Sequence, residues 1–124
     1  MDGEKTPLVC RLDALTAAER GRYGELTGEL AASVRRVEEL PRGWAFRFSD
    51  DPWLPPRLVE WMSLERRCCP FLEFELTFGE GKDPAVLRLT GDGDVKAFLA
   101  HEIAAFFRRE PPPPSLPRER RPVG

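Results

Sequence analysis

Residues 71–90 read FLEFELTFGEGKDPAVLRLT and predict a β-hairpin. In the first arm, Phe71 to Phe78, apolar side chains at every second position face one side while two glutamates face the other. The glycine-rich segment 79–84 predicts the connecting loop, and Val86 to Thr90 predicts the strand that pairs back. Because short connections join the elements around it, this hairpin favours a mainly antiparallel sheet.

The rest of the chain predicts two more strands and three helices. The strands are Leu8–Leu12 and the alternating run around Trp44, Phe46 and Phe48. The helices begin at the Thr16–Glu19 capping box, near Leu54 and near Val95, and the apolar stripe of the first contains Tyr23, Leu26, Leu30, Val34 and Val37. The prediction is an α+β fold of order β-α-β-α-β-β-α, with about four strands and three helices packed on one face. Residues 1–109 form this single domain, and residues 110–124 predict a disordered tail rich in proline and arginine.

Composition narrows the possible functions. The chain has 124 residues with interspersed charges and a net charge of -2, so no basic face indicates nucleic-acid binding. No apolar stretch approaches the ~20 residues that span a bilayer, and the acidic N-terminus does not resemble a signal peptide. We therefore expect a cytoplasmic protein without membrane or nucleic-acid partners, whose thiols stay reduced. The sequence does not decide whether the protein forms homo-oligomers.

Adjacent thiols at Cys68 and Cys69 are the main chemical feature. They lie where the second predicted helix, Leu54 to Cys68, is stopped by Pro70. Thiolates are soft donors that bind Zn(II), Cu(I) and heavier thiophilic ions. The third cysteine, Cys10, lies in a short apolar run and would complete a three-sulfur site if the fold brings it to the pair. The alternative is packing, because free cysteines are often buried as small hydrophobic residues.

Two other side chains are candidate ligands. Glu65 precedes the cysteines by three and four residues, which places its carboxylate on the same helical surface. It is a candidate metal ligand and a candidate acid or base. Arg66 and Arg67 favour thiolates, whereas the negative end of the helix disfavours them. The only histidine, His101, is a weaker candidate ligand on the third helix.

The motif Glu65-Arg66-Arg67-Cys68-Cys69-Pro70-Phe71 carries a family resemblance. With Val9-Cys10-Arg11-Leu12 and Leu89-Thr90-Gly91, it resembles a group of small, largely uncharacterised bacterial proteins with an E-R-x-C-C-P-F motif. Some of these are associated with heavy-metal-responsive regulators. The resemblance implies that Cys10, Glu65, Cys68 and Cys69 are the positions of functional interest.

The sequence predicts thiol-based binding of a soft metal or metalloid ion. The ion would be a thiophilic one such as Zn, Cu(I) or Hg(II), and a small thiol-reactive ligand is an alternative partner. An enzyme with Glu65 as acid or base, performing organometal or redox chemistry, uses the same atoms. Its chemistry would be similar in kind to that of organomercurial lyases, although the motif spacing does not match theirs. A structural or interaction domain with packed cysteines is the third reading, and the sequence does not decide whether the protein is an enzyme.

Overall fold

The computed structural model describes residues 11–81 and 84–108 and confirms the α+β class. The elements in chain order are α1 (Ala17–Ser33), β1 (Val34–Leu40), β2 (Gly43–Phe48), α2 (Leu54–Cys68), β3 (Glu73–Phe78), β4 (Ala85–Thr90) and α3 (Val95–Arg108). A short 3-10 helix, Leu12–Ala14, precedes them. Cys10 and the predicted tail from residue 110 lie outside the described residues.

The four strands form one antiparallel sheet in the order β1-β2-β4-β3. In the centre of the sheet, Phe46 of β2 pairs with Val37 of β1 and with Leu87 of β4, and Leu87 pairs with Leu76 of β3. The predicted hairpin is therefore β3–β4. Side chains from all three helices and from one face of the sheet share the core. Within residues 11–81 and 84–108, no helix combines the length and the apolar composition that crossing a bilayer requires.

Two predicted elements differ from the structure. Val34 and Val37, which the spacing places on the first helix, lie in β1. Their three- and four-residue spacing fits a helix, but β-branched residues also suit a strand, and pairing with β2 decides the outcome. At the other end, Leu12 begins the 3-10 helix rather than ending a strand, and residues 8–10 lie outside the described part.

The capping box at the start of α1 is formed as the sequence predicts. The backbone N–H of Glu19 donates to Thr16 Oγ1 at 3.1 Å, and the backbone N–H of Thr16 donates to Glu19 Oε1 at 2.8 Å. We expect Thr16→Ala to lower the free energy of unfolding by about 1 kcal/mol, because a helix N–H loses its partner. Urea denaturation measures this, with Ser63→Ala on the exposed side of α2 as a control that should change stability by less than about 0.5 kcal/mol. Equal effects of the two substitutions would contradict the assignment.

Candidate thiol and carboxylate site

The end of α2 brings together one carboxylate and two sulfurs. The ligand atoms of Glu65, Cys68 and Cys69 all lie within 4.8 Å of one another. All three residues are buried, and both cysteines have an exposed fraction of 0%. The helix produces this arrangement, because residues three and four positions apart are neighbours on its surface.

The helix end is fixed by backbone hydrogen bonds. The N–H of Cys69 donates to the carbonyl of Glu65 at 2.7 Å, and the chain then leaves the helix before Pro70. The N–H of Leu72 donates to the carbonyl of Cys69 at 3.1 Å. The N–H of Arg11 donates to the carbonyl of Cys68 at 2.7 Å. The first described residue of the chain is therefore held against the end of α2.

The Cys68 side chain is a free thiol in a setting that disfavours the thiolate. Burial raises its pKa to about 11, and the negative charge of Glu65 acts in the same direction. Its Sγ–H donates to the carbonyl of Leu64 at 3.5 Å. Because the pKa lies far above neutrality, Cys68 carries its proton at pH 7, which makes it a poor nucleophile in this form.

Arg67, next to Cys68 in the chain, does not reverse the rise in the pKa of that thiol. Arg67 donates to both carboxylate oxygens of Glu19, at 2.9 and 3.1 Å, and to the carbonyl of Ala14. Its guanidinium lowers the pKa of Glu19 to about 2 and has only a small lowering effect on that of Cys68. Arg67 thus favours the Cys68 thiolate, as the sequence predicts, but burial and the charge of Glu65 outweigh its effect on the pKa.

Cys69 differs from its neighbour because it is disulfide-bonded. The sequence predicts reduced thiols throughout, and Cys69 departs from that prediction because it forms a disulfide. With Cys69 in a disulfide, Cys68 is the free thiol of the site. Cys10, the third candidate sulfur, lies outside the described residues.

Glu65 is a buried carboxyl group that faces a tyrosine. The hydroxyl of Tyr23, on α1, donates to Glu65 Oε1 at 2.5 Å. Burial raises the pKa of Glu65, the Tyr23 hydrogen bond opposes the shift, and the charge of Glu102 on α3 adds to it. Burial, followed by the charge of Glu65, also raises the pKa of Tyr23. The result is a carboxyl group that holds its proton more tightly than an exposed glutamate does.

The sequence predicts Tyr23 on the apolar stripe of the first helix and does not indicate its hydrogen bond to Glu65. A tyrosine on an apolar helix face indicates that its hydroxyl has a hydrogen-bond partner, but the sequence does not identify that partner. The partner lies 42 positions away on another helix. Only the packing of α1 against α2 reveals the pair.

A cavity of about 160 Å³ adjoins this carboxyl group. It lies between the sheet and the three helices, and Glu65 forms part of its wall. The aromatic rings of Tyr23 and Trp61 line it and stack with centroids 6.4 Å apart. The other walls are mainly aliphatic and phenyl side chains, among them Leu30, Val34, Phe46, Phe48, Leu87, Leu89, Phe98 and Leu99. Glu65 therefore belongs both to the sulfur cluster and to an apolar cavity.

His101 is exposed on α3 and does not belong to the ligand group formed by Glu65, Cys68 and Cys69. The candidate site within the described residues is therefore a carboxyl group and two sulfurs at the end of α2. No family model, no curated protein and no solved structure matches this chain.

Proposed function

We propose that the reduced protein binds a soft metal or metalloid ion through Cys68 and Cys69, with Glu65 as an oxygen ligand. The observation that carries this proposal is the group of three buried ligand atoms within 4.8 Å of one another. Burying a carboxyl group beside two sulfurs is costly, and an ion bound by all three would offset that cost.

The spacing of the cluster suits a metal ion. Sulfur ligands bound at about 2.3 Å to a tetrahedral ion lie roughly 3.8 Å apart. The ligand atoms of the cluster lie within 4.8 Å of one another, which is compatible with this separation. Thiolate donors favour Cu(I), Zn(II) and Hg(II) over Mg(II) or Ca(II), which prefer oxygen ligands.

The electrostatics of the site favour a cation. The C-terminal end of α2 carries the negative end of the helix dipole, and Glu102 adds a negative charge nearby. The pKa values of Glu65 and Cys68 are both raised, so each group holds a proton that an arriving ion displaces. Binding should therefore release protons and strengthen as the pH rises.

Binding through Cys69 requires its disulfide to be reduced. A dithiol reductant supplies two electrons and two protons, so that the disulfide becomes two thiols while the reductant becomes a disulfide. We propose Cys10 as the third sulfur ligand. The hydrogen bond from Arg11 to the carbonyl of Cys68 supports this, because the peptide bond ties Cys10 to Arg11.

The test is ion binding by protein reduced with a phosphine, measured for Zn(II) and Cu(I) in competition with chromophoric chelators. We expect the parent to bind one ion per chain, and Cys68→Ser/Cys69→Ser to weaken binding more than about 100-fold. Glu65→Gln should weaken binding about tenfold and reduce its pH dependence. Glu60→Gln, on the same helix but paired with Arg22 at 2.8 Å, is the matched control and should bind like the parent.

Thermal melts of each variant without ion separate ligand loss from misfolding. If the folded double serine variant binds both ions as the parent does, the proposal is wrong and the cysteines serve packing. Equal weakening by Glu60→Gln and Glu65→Gln would instead show that Glu65 is not a ligand of the ion.

A further inference from the structure

We propose that the cavity beside Glu65 receives the organic group of an organometal cation, R–M⁺, whose metal is held by the sulfur cluster. This inference rests on the proposed ion site and names its substrate class. Glu65 connects the two features, because its carboxyl group lies within 4.8 Å of both sulfurs and also forms part of the cavity wall.

The size and lining of the cavity indicate what it can hold. Its volume is about 160 Å³, and most of its wall is apolar. An apolar protein cavity of roughly 150 Å³ stays dry and binds benzene. The cavity beside Glu65 is therefore large enough for a phenyl ring, and the rings of Tyr23 and Trp61 provide flat surfaces against which such a ring can pack.

The charges around the cavity select among apolar ligands. The two ionisable carboxyl groups on its wall are Glu65 and the exposed Glu102. An anionic ligand would meet both, whereas a cation is attracted to them. No lysine or arginine side chain lines the cavity within the described residues. The site is therefore suited to a molecule that is apolar at one end and cationic at the other.

An organometal cation joins these requirements in one molecule. Its metal is soft and binds thiolates, and its single carbon substituent needs an apolar space beside the metal. An inorganic ion occupies the cluster but gains nothing from the cavity. The structure thus predicts that the organic group adds affinity, which the sulfur cluster alone does not provide.

Phenylmercury and Hg(II) are the two probes, measured against a competing small dithiol. Ala31 lines the cavity from α1, and Ala31→Phe should fill part of it. We expect this change to weaken phenylmercury binding at least about tenfold while changing Hg(II) binding less than about twofold. The neighbouring Ala32 is exposed, so Ala32→Phe is the matched control and should change neither affinity.

The outcomes separate the two proposals. If Hg(II) binding survives in Cys68→Ser/Cys69→Ser, the ion site itself is wrong. If Hg(II) binding needs both cysteines but Ala31→Phe leaves phenylmercury affinity unchanged, the cavity inference is overturned alone. If Ala31→Phe does not fold, the parent protein provides the test. Each organomercurial is measured in competition with a small dithiol, and the parent must prefer phenylmercury over methylmercury by at least about tenfold. An equal preference for the two overturns the inference.

Discussion

Alanine in place of Gly43 is expected to destabilise the protein by about 3 kcal/mol or more, because the new methyl group meets backbone on the neighbouring strand. Gly43 begins β2 and pairs with Leu40 of β1 and Thr90 of β4. A Cβ there would overlap the carbonyl oxygen of Leu89 and lie 2.8 Å from the Cα of Thr90. Backbone atoms cannot rotate away as a flexible side chain can, so the two central strands must separate locally.

Gly28 provides the matched control. It lies inside α1, and a Cβ built there has no atom within 4 Å. Since alanine is the better helix former, Gly28→Ala should raise stability by about 1 kcal/mol. Urea denaturation of the parent and both variants measures the difference. Two variants of equal stability would show that β2 and β4 are not in the close register that the structure gives them.

The β3–β4 hairpin and α2 could be predicted from the sequence because local pattern and final packing agree there. Alternation from Phe71 to Phe78 matches the period of a strand, and Pro70 fixes the end of α2 at Cys68. At Val34 and Val37 the local pattern fits both a helix and a strand. Pairing with β2 selects the strand, and this pairing depends on residues outside the short stretch that a helical pattern is read from.

The candidate site also has some features that the sequence predicts and others that only the fold determines. The proximity of Glu65, Cys68 and Cys69 follows from helical spacing, which the sequence displays. The raised pKa values of Glu65 and Cys68 cannot be predicted from helical spacing, because burial is their first cause. Burial depends on how α1 and the sheet cover the end of α2. The cavity is likewise a property of three helices meeting one sheet face.

The second large effect expected is a pH-dependent gain in stability for Glu65→Gln. Folding raises the pKa of Glu65 above that of an exposed glutamate, chiefly through burial. The protonated form therefore favours folding: its contribution is complete below the unfolded pKa of about 4.3 and is lost as the pH rises through the folded pKa. Glutamine resembles the protonated acid at every pH, and its amide oxygen can still accept the hydrogen bond of Tyr23.

Between pH 4 and pH 8, the stability of Glu65→Gln relative to the parent should rise by about 2 kcal/mol, since only the parent must bury a charge at high pH. Urea denaturation with a chelator present measures this difference. Glu60→Gln should show the opposite sign, because hydrogen bonds from Arg22 lower the pKa of Glu60 and its contribution is present at high pH and lost as the pH falls. Parallel pH profiles for the parent and Glu65→Gln would mean that the carboxyl group at the end of α2 is hydrated in solution. A hydrated carboxyl group would also remove the raised pKa of Glu65 from the argument for an ion at this site.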